Sequence, residues 1–310
     1  MGRKPRCFPF CSLARPECSK MNTLKIVICP WSVVRGWQSD VKLRDDGPRT
    51  TVHERFTVCN IRLIVAYDGT DFNGWQRQPN APTVQGRIES ALAGITGEPV
   101  KLHGSGRTDA GVHALHQVAN FKTDCHIPCA NLLKALNNIL PPSLRIKKVE
   151  EVPDSFHARH DARSKTYRYR ILLAPVASPF LSRFVYHYPH PLDLPPMAAA
   201  ARLFEGEHDF TSFAGSVGAV HEPPLPGRAN VRTIFSSRFL WRPKTSILVY
   251  DVRGSGFLHH MVRNIVGTLI EVGRGKLQPN DIPEILAARD RSRAGPTAPA
   301  SGLCLVAVEY

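Results

Sequence analysis

No apolar run in this chain of 310 residues approaches the length that crosses a bilayer, so a membrane-spanning reading is excluded and a soluble protein is expected. Cysteine is scarce over most of the chain. Five of the eight (Cys7, Cys11, Cys18, Cys29 and Cys59) precede residue 60, and only Cys125, Cys129 and Cys304 follow. Disulfide frameworks belong to small secreted domains dense in cysteine, so these thiols are expected to be reduced. Neither Cys7/Cys11/Cys18 nor Cys125-His126/Cys129 finds a fourth ligand at zinc spacing, and no metal site is expected. Nucleotide motifs are missing as well. Gly106 and Gly111 have P-loop spacing, but Val112-His113 stand where Lys and Ser/Thr must hold phosphate and magnesium. The glycine spacing after Gly106 also fails the dinucleotide fingerprint.

Acid is in the minority. Lys and Arg number 40 against 26 Asp and Glu, a formal charge of +14. That excess favours an anionic partner such as nucleic acid and is silent about fold. Residues 1–58 carry eleven basic groups against five acids, so the remainder is basic without them. Ile26–Val34 is apolar but short, broken by Pro30, and lacks a small-residue cleavage pattern. Arginine richness leaves a transit peptide open, but residues 1–58 are read as an N-terminal extension, disordered or upstream of the native start, with no assigned role.

Order is expected from Asn60. Ile61 to Tyr67 reads as a strand. Thr83 caps a helix with Val84, Ile88, Ala91, Leu92 and Ile95 at helical spacing, ended by Gly97. A strand through Val100 and Leu102 and another from Val112 to Phe121 follow. A helix over 131–140 places Leu132, Leu133, Leu136 and Ile139 inward, and Leu144–Val149 closes the half. Strand, helix, strand, strand, helix, strand is the split βαβ order of ferredoxin-like and RNA-recognition domains. Helices would cover one face of the sheet and leave the other free as a platform for RNA. Beyond residue 155, Lys165–Leu173 alternates Lys165, Tyr167 and Tyr169 against Thr166, Arg168 and Arg170. A helix over 197–204, a mobile surface stretch over 215–229, and strands near 234–240 and 247–253 come next. Leu258, Met261, Val262, Ile265, Val266 and Leu269 then form an apolar helical stripe, with His259 and Arg263 four apart on another face.

The stretch around which the rest is arranged is Gly104-Ser105-Gly106-Arg107-Thr108-Asp109-Ala110-Gly111-Val112-His113-Ala114. Closely spaced glycines mark a backbone that turns sharply or admits another group. Such a turn would present Asp109 as a single reactive carboxylate. On spacing alone an ordinary turn with Asp109 as a cap is the commoner outcome.

The word Gly106 to Ala114 resembles the signature of the TruA family of tRNA pseudouridine synthases, in which the Asp is catalytic. Four further words fall in the family's order: Lys165-Thr166-Tyr167-Arg168-Tyr169, Gly206 to Phe213, Gly254 to Gly267, and Ala298 to Tyr310. The resemblance covers roughly residues 60–310. Cys304 departs from it, standing where an aromatic is more usual.

The resemblance implies an α+β protein of two pseudo-repeated ferredoxin-like halves, residues 59–155 and 156–310, sharing one mostly antiparallel sheet. It also implies isomerisation of uridine to pseudouridine in the anticodon stem–loop of tRNA, at nucleotides 38, 39 and 40. Asp109 would be the catalytic residue, acting on the uracil ring, on the ribose, or as a base toward a sugar proton. Tyr167 would pack against the target uracil, and Arg263 would pair with and orient Asp109. Arg107 would fill the space of a flipped nucleotide or contact phosphate. No cofactor and no metal are implied; a homodimer working on tRNA in the cytoplasm is. Two other classes fit the residues less well. A non-catalytic RNA-binding protein would use the same sheet, and an Asp-nucleophile hydrolase would need a second acid or metal ligand where the loop has only Arg107 and His113.

Overall fold

Ile61, Leu63, Val65 and Tyr67 point to one side of the first strand, β1 (Cys59–Tyr67), and all four are buried. That alternation sets which face of the whole sheet receives helices. The structure, a computed structural model, describes residues 58–215 and 230–310. The expected N-terminal extension and the expected mobile stretch over 215–229 lie, but for Val58 and Gly215, outside the described residues.

After β1 comes α1 (Val84–Thr96). Thr83 accepts a hydrogen bond from the Gly86 N–H at its start, and Gly97 closes it in the left-handed conformation. A two-residue strand β2 (His103–Gly104), β3 (His113–Thr123), α2 (Cys129–Ile139) and β4 (Leu144–Val152) complete the first half. The second half begins with β5 (Ser164–Leu172) and the short β6 (Tyr186–His187). α3 (Leu194–Arg202) follows with proline in its first turn, where a missing N–H costs nothing. Then come β7 (Gly206–Asp209), β8 (Val231–Arg242), β9 (Ile247–Gly254), α4 (Met261–Gly273), α5 (Asp281–Ala288) and β10 (Leu303–Glu309).

The main path through the sheet runs β4-β1-β3-β10-β5-β9-β8-β7, with β2 pairing β3 and β6 pairing β5. Divided between β3 and β10, with β2 counted beside β3 and the added edge strand β7 set aside, it gives β4-β1-β3-β2 and β10-β5-β9-β8. The strand order is the same twice, with α1 and α3, then α2 and α4, in matching places. The α+β fold of two repeated ferredoxin-like halves is thus as the sequence implied. Pairing is antiparallel except where β10 meets β3, at Cys304–His113 and Leu305–Ala114, and where β6 meets β5. That β3–β10 seam joins the halves.

Three expectations need correction. The strand through Val100 and Leu102 does not form. Glu89 Oε1 accepts from the Leu102 N–H at 3.1 Å, and Gln85 Nε2 donates to its carbonyl at 3.1 Å. Side chains of α1 thus satisfy groups that a ladder would otherwise need. On α2 only Leu132 and Leu136 are buried, while Ile139 is 58% exposed. Its place in the core is taken by Leu140, which follows the last turn. Finally, the helix near Arg263 starts two residues after His259, because His260 takes the left-handed conformation, φ 58°.

Candidate active site

The loop between β2 and β3 is fixed mainly through its backbone. The Ser105 N–H donates to the Val118 carbonyl at 2.7 Å, and the Trp75 N–H to the Thr108 carbonyl at 3.0 Å. Gly74, at φ 85°, lies so close that a Cβ there would stand 2.6 Å from the Thr108 oxygen. From below, Gln117 on β3 accepts from the Ser105 hydroxyl at 2.6 Å and donates to the Gly106 carbonyl at 2.8 Å. Lys165 Nζ on β5 donates to the Ser105 carbonyl at 2.6 Å. The Tyr67 hydroxyl meets Thr108 Oγ1 at 2.8 Å. These ties leave the Asp109 side chain as the part of the loop free to face a partner.

That partner is α4. Arg263 Nη1 donates to Asp109 Oδ2 at 3.2 Å, while Arg263 Nε donates to the Ala298 carbonyl at 2.8 Å. The Ala298 N–H in turn donates to the Arg263 carbonyl at 3.1 Å, so the guanidinium is held from behind. Both side chains are mostly buried, 15% and 19% exposed. The two histidines before α4 reach the same carboxylate. His259 Nε2 lies 3.6 Å from Oδ1 and His260 Nε2 3.5 Å from Oδ2, with the rings stacked at 3.7 Å. Burial pulls the His260 pKa down against the opposing pull of Asp109.

All of this lines one cleft of about 990 Å³, which also takes in Arg107, Tyr167 and Lys165. Tyr167 is buried, its ring meeting Phe257 edge-on at 5.1 Å and 83°. Burial, and then the charge of Asp109, raise its pKa. Arg107 is exposed and donates from Nε to Gln76 Oε1 at 3.0 Å. Burial, reinforced by Arg159 and Arg232, lowers the Lys165 pKa to about 8.

The structure thus brings Asp109, Arg107, Tyr167 and Arg263 to one place. His113, the imidazole of the loop word, does not join them. Its Nδ1 accepts from the Gly69 N–H at 3.0 Å, and it lines a separate pocket beside Asp68. The loop itself thus supplies no second acid beside Asp109; the potential metal ligands that stand there are His259 and His260, from outside the loop. The expected RNA platform also moves. Tyr167 shares the alternation of Tyr169 and Ile171, the helix-covered side of β5, so the cleft opens between helices and not on the bare face.

Sequence reasoning quoted His259, His260 and Lys165 without giving them a role. The adjacent histidines after Gly256 were visible, but the backbone turn that stacks them was not.

Comparison with known proteins fits this geometry. A family model described as tRNA pseudouridine synthase matches residues 63–161 and 200–310. The chain belongs to the tRNA pseudouridine synthase family. The tRNA pseudouridine synthase A of Solibacter usitatus is 54% identical over 251 residues, covering 81% of this chain and 99% of that protein. Those of Brevibacillus brevis and Acetivibrio thermocellus are 50% and 47% identical over the same coverage. The matched stretches contain Asp109, Arg107 and Arg263. As a tRNA pseudouridine synthase the chain is an isomerase of the type these relatives represent. Among the described residues no helix is long and apolar enough to cross a membrane.

Proposed function

We propose that this synthase isomerises uridines 38, 39 and 40 of the tRNA anticodon arm, with Asp109 as the catalytic carboxylate. The observation that carries the reading is the Asp109–Arg263 pair at 3.2 Å, inside a cleft walled by the ring of Tyr167. The target uridine leaves its stack, which costs a few kcal/mol, and contact with an aromatic ring returns part of that. The N1–C1′ bond breaks, the base turns, and C5 bonds to C1′. The proton on C5 leaves and N1 gains one, so the atoms balance without a redox step.

Asp109 acts at the ring, at the ribose, or on a sugar proton; each role requires a carboxylate held at fixed distance from its target. Arg263 positions it. Arg107, exposed at the cleft, contacts phosphate or fills the vacated stack. The +14 excess gives salt-sensitive affinity for the RNA backbone. We further assign a homodimer, in which one tRNA touches both subunits, working in the cytoplasm.

Release of tritium from C5-labelled uridine in tRNA tests the assignment. Wild type should release label, and Asp109→Asn should do so roughly 100- to 10,000-fold more slowly. Undiminished release by Asp109→Asn removes Asp109 from the mechanism. Binding of tRNA without release in the wild type would leave only an RNA-binding protein.

A further inference from the structure

The His259–His260 pair is built in a way the isomerisation does not call for. Neither imidazole hydrogen-bonds to Asp109: at 3.5 and 3.6 Å both Nε2 atoms point toward the carboxylate without engaging it. The two rings are stacked, with centroids 3.7 Å apart. The left-handed turn at His260 does this, placing the rings 26° from parallel with both Nε2 atoms on the same side. One ligand atom each from Asp109, His259 and His260 lie within 4.8 Å of one another.

We propose that the cleft binds a divalent transition cation of the zinc class at Asp109, His259 and His260, and that the bound cation inhibits the synthase. Donors at 2.0–2.1 Å from a tetrahedral ion stand roughly 3.3–3.4 Å apart. With either Asp109 oxygen as the ligand atom, one edge, at 3.5 or 3.6 Å, needs to close by only a few tenths of an ångström, and the remaining edges, within 4.8 Å, close by rotation of the part-exposed imidazoles. The fourth position faces the cleft, where His259 is 43% exposed and water can enter. Two imidazoles and one carboxylate select zinc, cobalt, nickel or copper over magnesium, which prefers oxygen donors and near-ideal octahedral geometry. The magnesium that accompanies folded RNA is thereby turned away.

Arg263 opposes the ion, since its Nη1 already occupies one side of Oδ2. Binding is consequently of modest affinity and comes at the expense of that contact. An ion so placed takes up the carboxylate and fills the space the uracil must enter, so it competes with tRNA. Inhibition rests on the proposed role of Asp109; binding of the ion does not.

Cobalt(II) added to the full-length protein tests the site, because its visible spectrum reports geometry and ligand type. One equivalent should bind with the bands of a nitrogen- and oxygen-ligated site. His259→Ala and His260→Asn, the latter keeping a residue that tolerates the left-handed turn, should each raise the half-saturating cobalt concentration at least about tenfold. Loss of a direct ligand costs no less than loss of the partner behind one. Zinc should raise the apparent KM for tRNA while equal magnesium does not. The proposal is overturned by absence of binding, by binding unchanged in both histidine variants, or by a near-ultraviolet thiolate-to-cobalt band in place of the expected spectrum. Cobalt binding by a protein that releases no tritium in a metal-free assay would keep the cation site and remove the reaction; metal-free release without cobalt binding would do the reverse.

Discussion

Arg263 reaches Asp109 with one guanidinium nitrogen and the Ala298 carbonyl with another, so one planar group links the Asp109 loop, α4 and the approach to β10. A lysine has a single nitrogen at its tip and cannot make both contacts in the same plane. Arg263→Lys should therefore lower the single-turnover rate about 100-fold, the size of effect expected when a catalytic group shifts by an ångström. Affinity for tRNA, measured by filter binding, should change by less than about threefold because the charge is kept. Equal loss of both would assign Arg263 to RNA binding.

Gly74 supports the same loop from the other side. A methyl group there meets the Thr108 oxygen, at a backbone angle that other residues adopt only with strain. Gly74→Ala should cost about 1–3 kcal/mol in urea denaturation. Activity should fall further than the stability loss alone accounts for, since the displaced atom is one residue from Asp109.

How much of this arrangement was legible beforehand follows from which forces decide each part. The first half and the helix through Met261, Ile265 and Leu269 were readable because these residues, with Ile61, Leu63 and Val65, follow strand and helix periods that burial enforces, whereas the repetition of the first half by the second came from the resemblance. The shared placement of Asp109, Tyr167 and Arg263 was readable only through resemblance. They are separated by 58 and 96 residues, and no local pattern reports the β3–β10 seam that joins their halves. The missing strand at Leu102 was hidden because Glu89 and Gln85, polar residues on the inner face of α1, take over its backbone. The left-handed turn at His260 was hidden because nothing in its own identity demands it.

Lys165 should titrate within reach of ordinary buffers. Its pKa is about 8 in the folded chain, against about 10.5 when exposed. Below pH 8 the ammonium is charged in both the folded and unfolded states, and its burial cost is borne in full. Between pH 8 and 10.5 the folded protein releases this proton first, so the unfolded state binds more protons and stability rises with pH. The stability of wild type relative to Lys165→Met should accordingly increase across that window, by no more than about 3 kcal/mol. Denaturant midpoints at pH 7.5 and 10 check it; a difference that stays flat would place the ammonium in water.

Arg107 should behave as a surface cation. Arg107→Ala should leave the melting temperature within a degree or two, weaken tRNA binding, and reduce the slope of log affinity against log salt by ~0.7–0.9. Binding isotherms at several salt concentrations give that slope. An unchanged slope with slower turnover would instead favour the role of filling the vacated stack.

The strand at the middle of the sheet, β10, is also the last one in the chain. During synthesis the first half can pair β4, β1, β3 and β2 as soon as they emerge, whereas α4 has no fixed position over Asp109 until residues 303–309 slot between β3 and β5. A growing polypeptide on the ribosome therefore carries Asp109 long before it carries the Arg263 contact to it. A variant lacking residues 303–310 should keep a folded first half by hydrogen exchange and release no tritium from labelled tRNA.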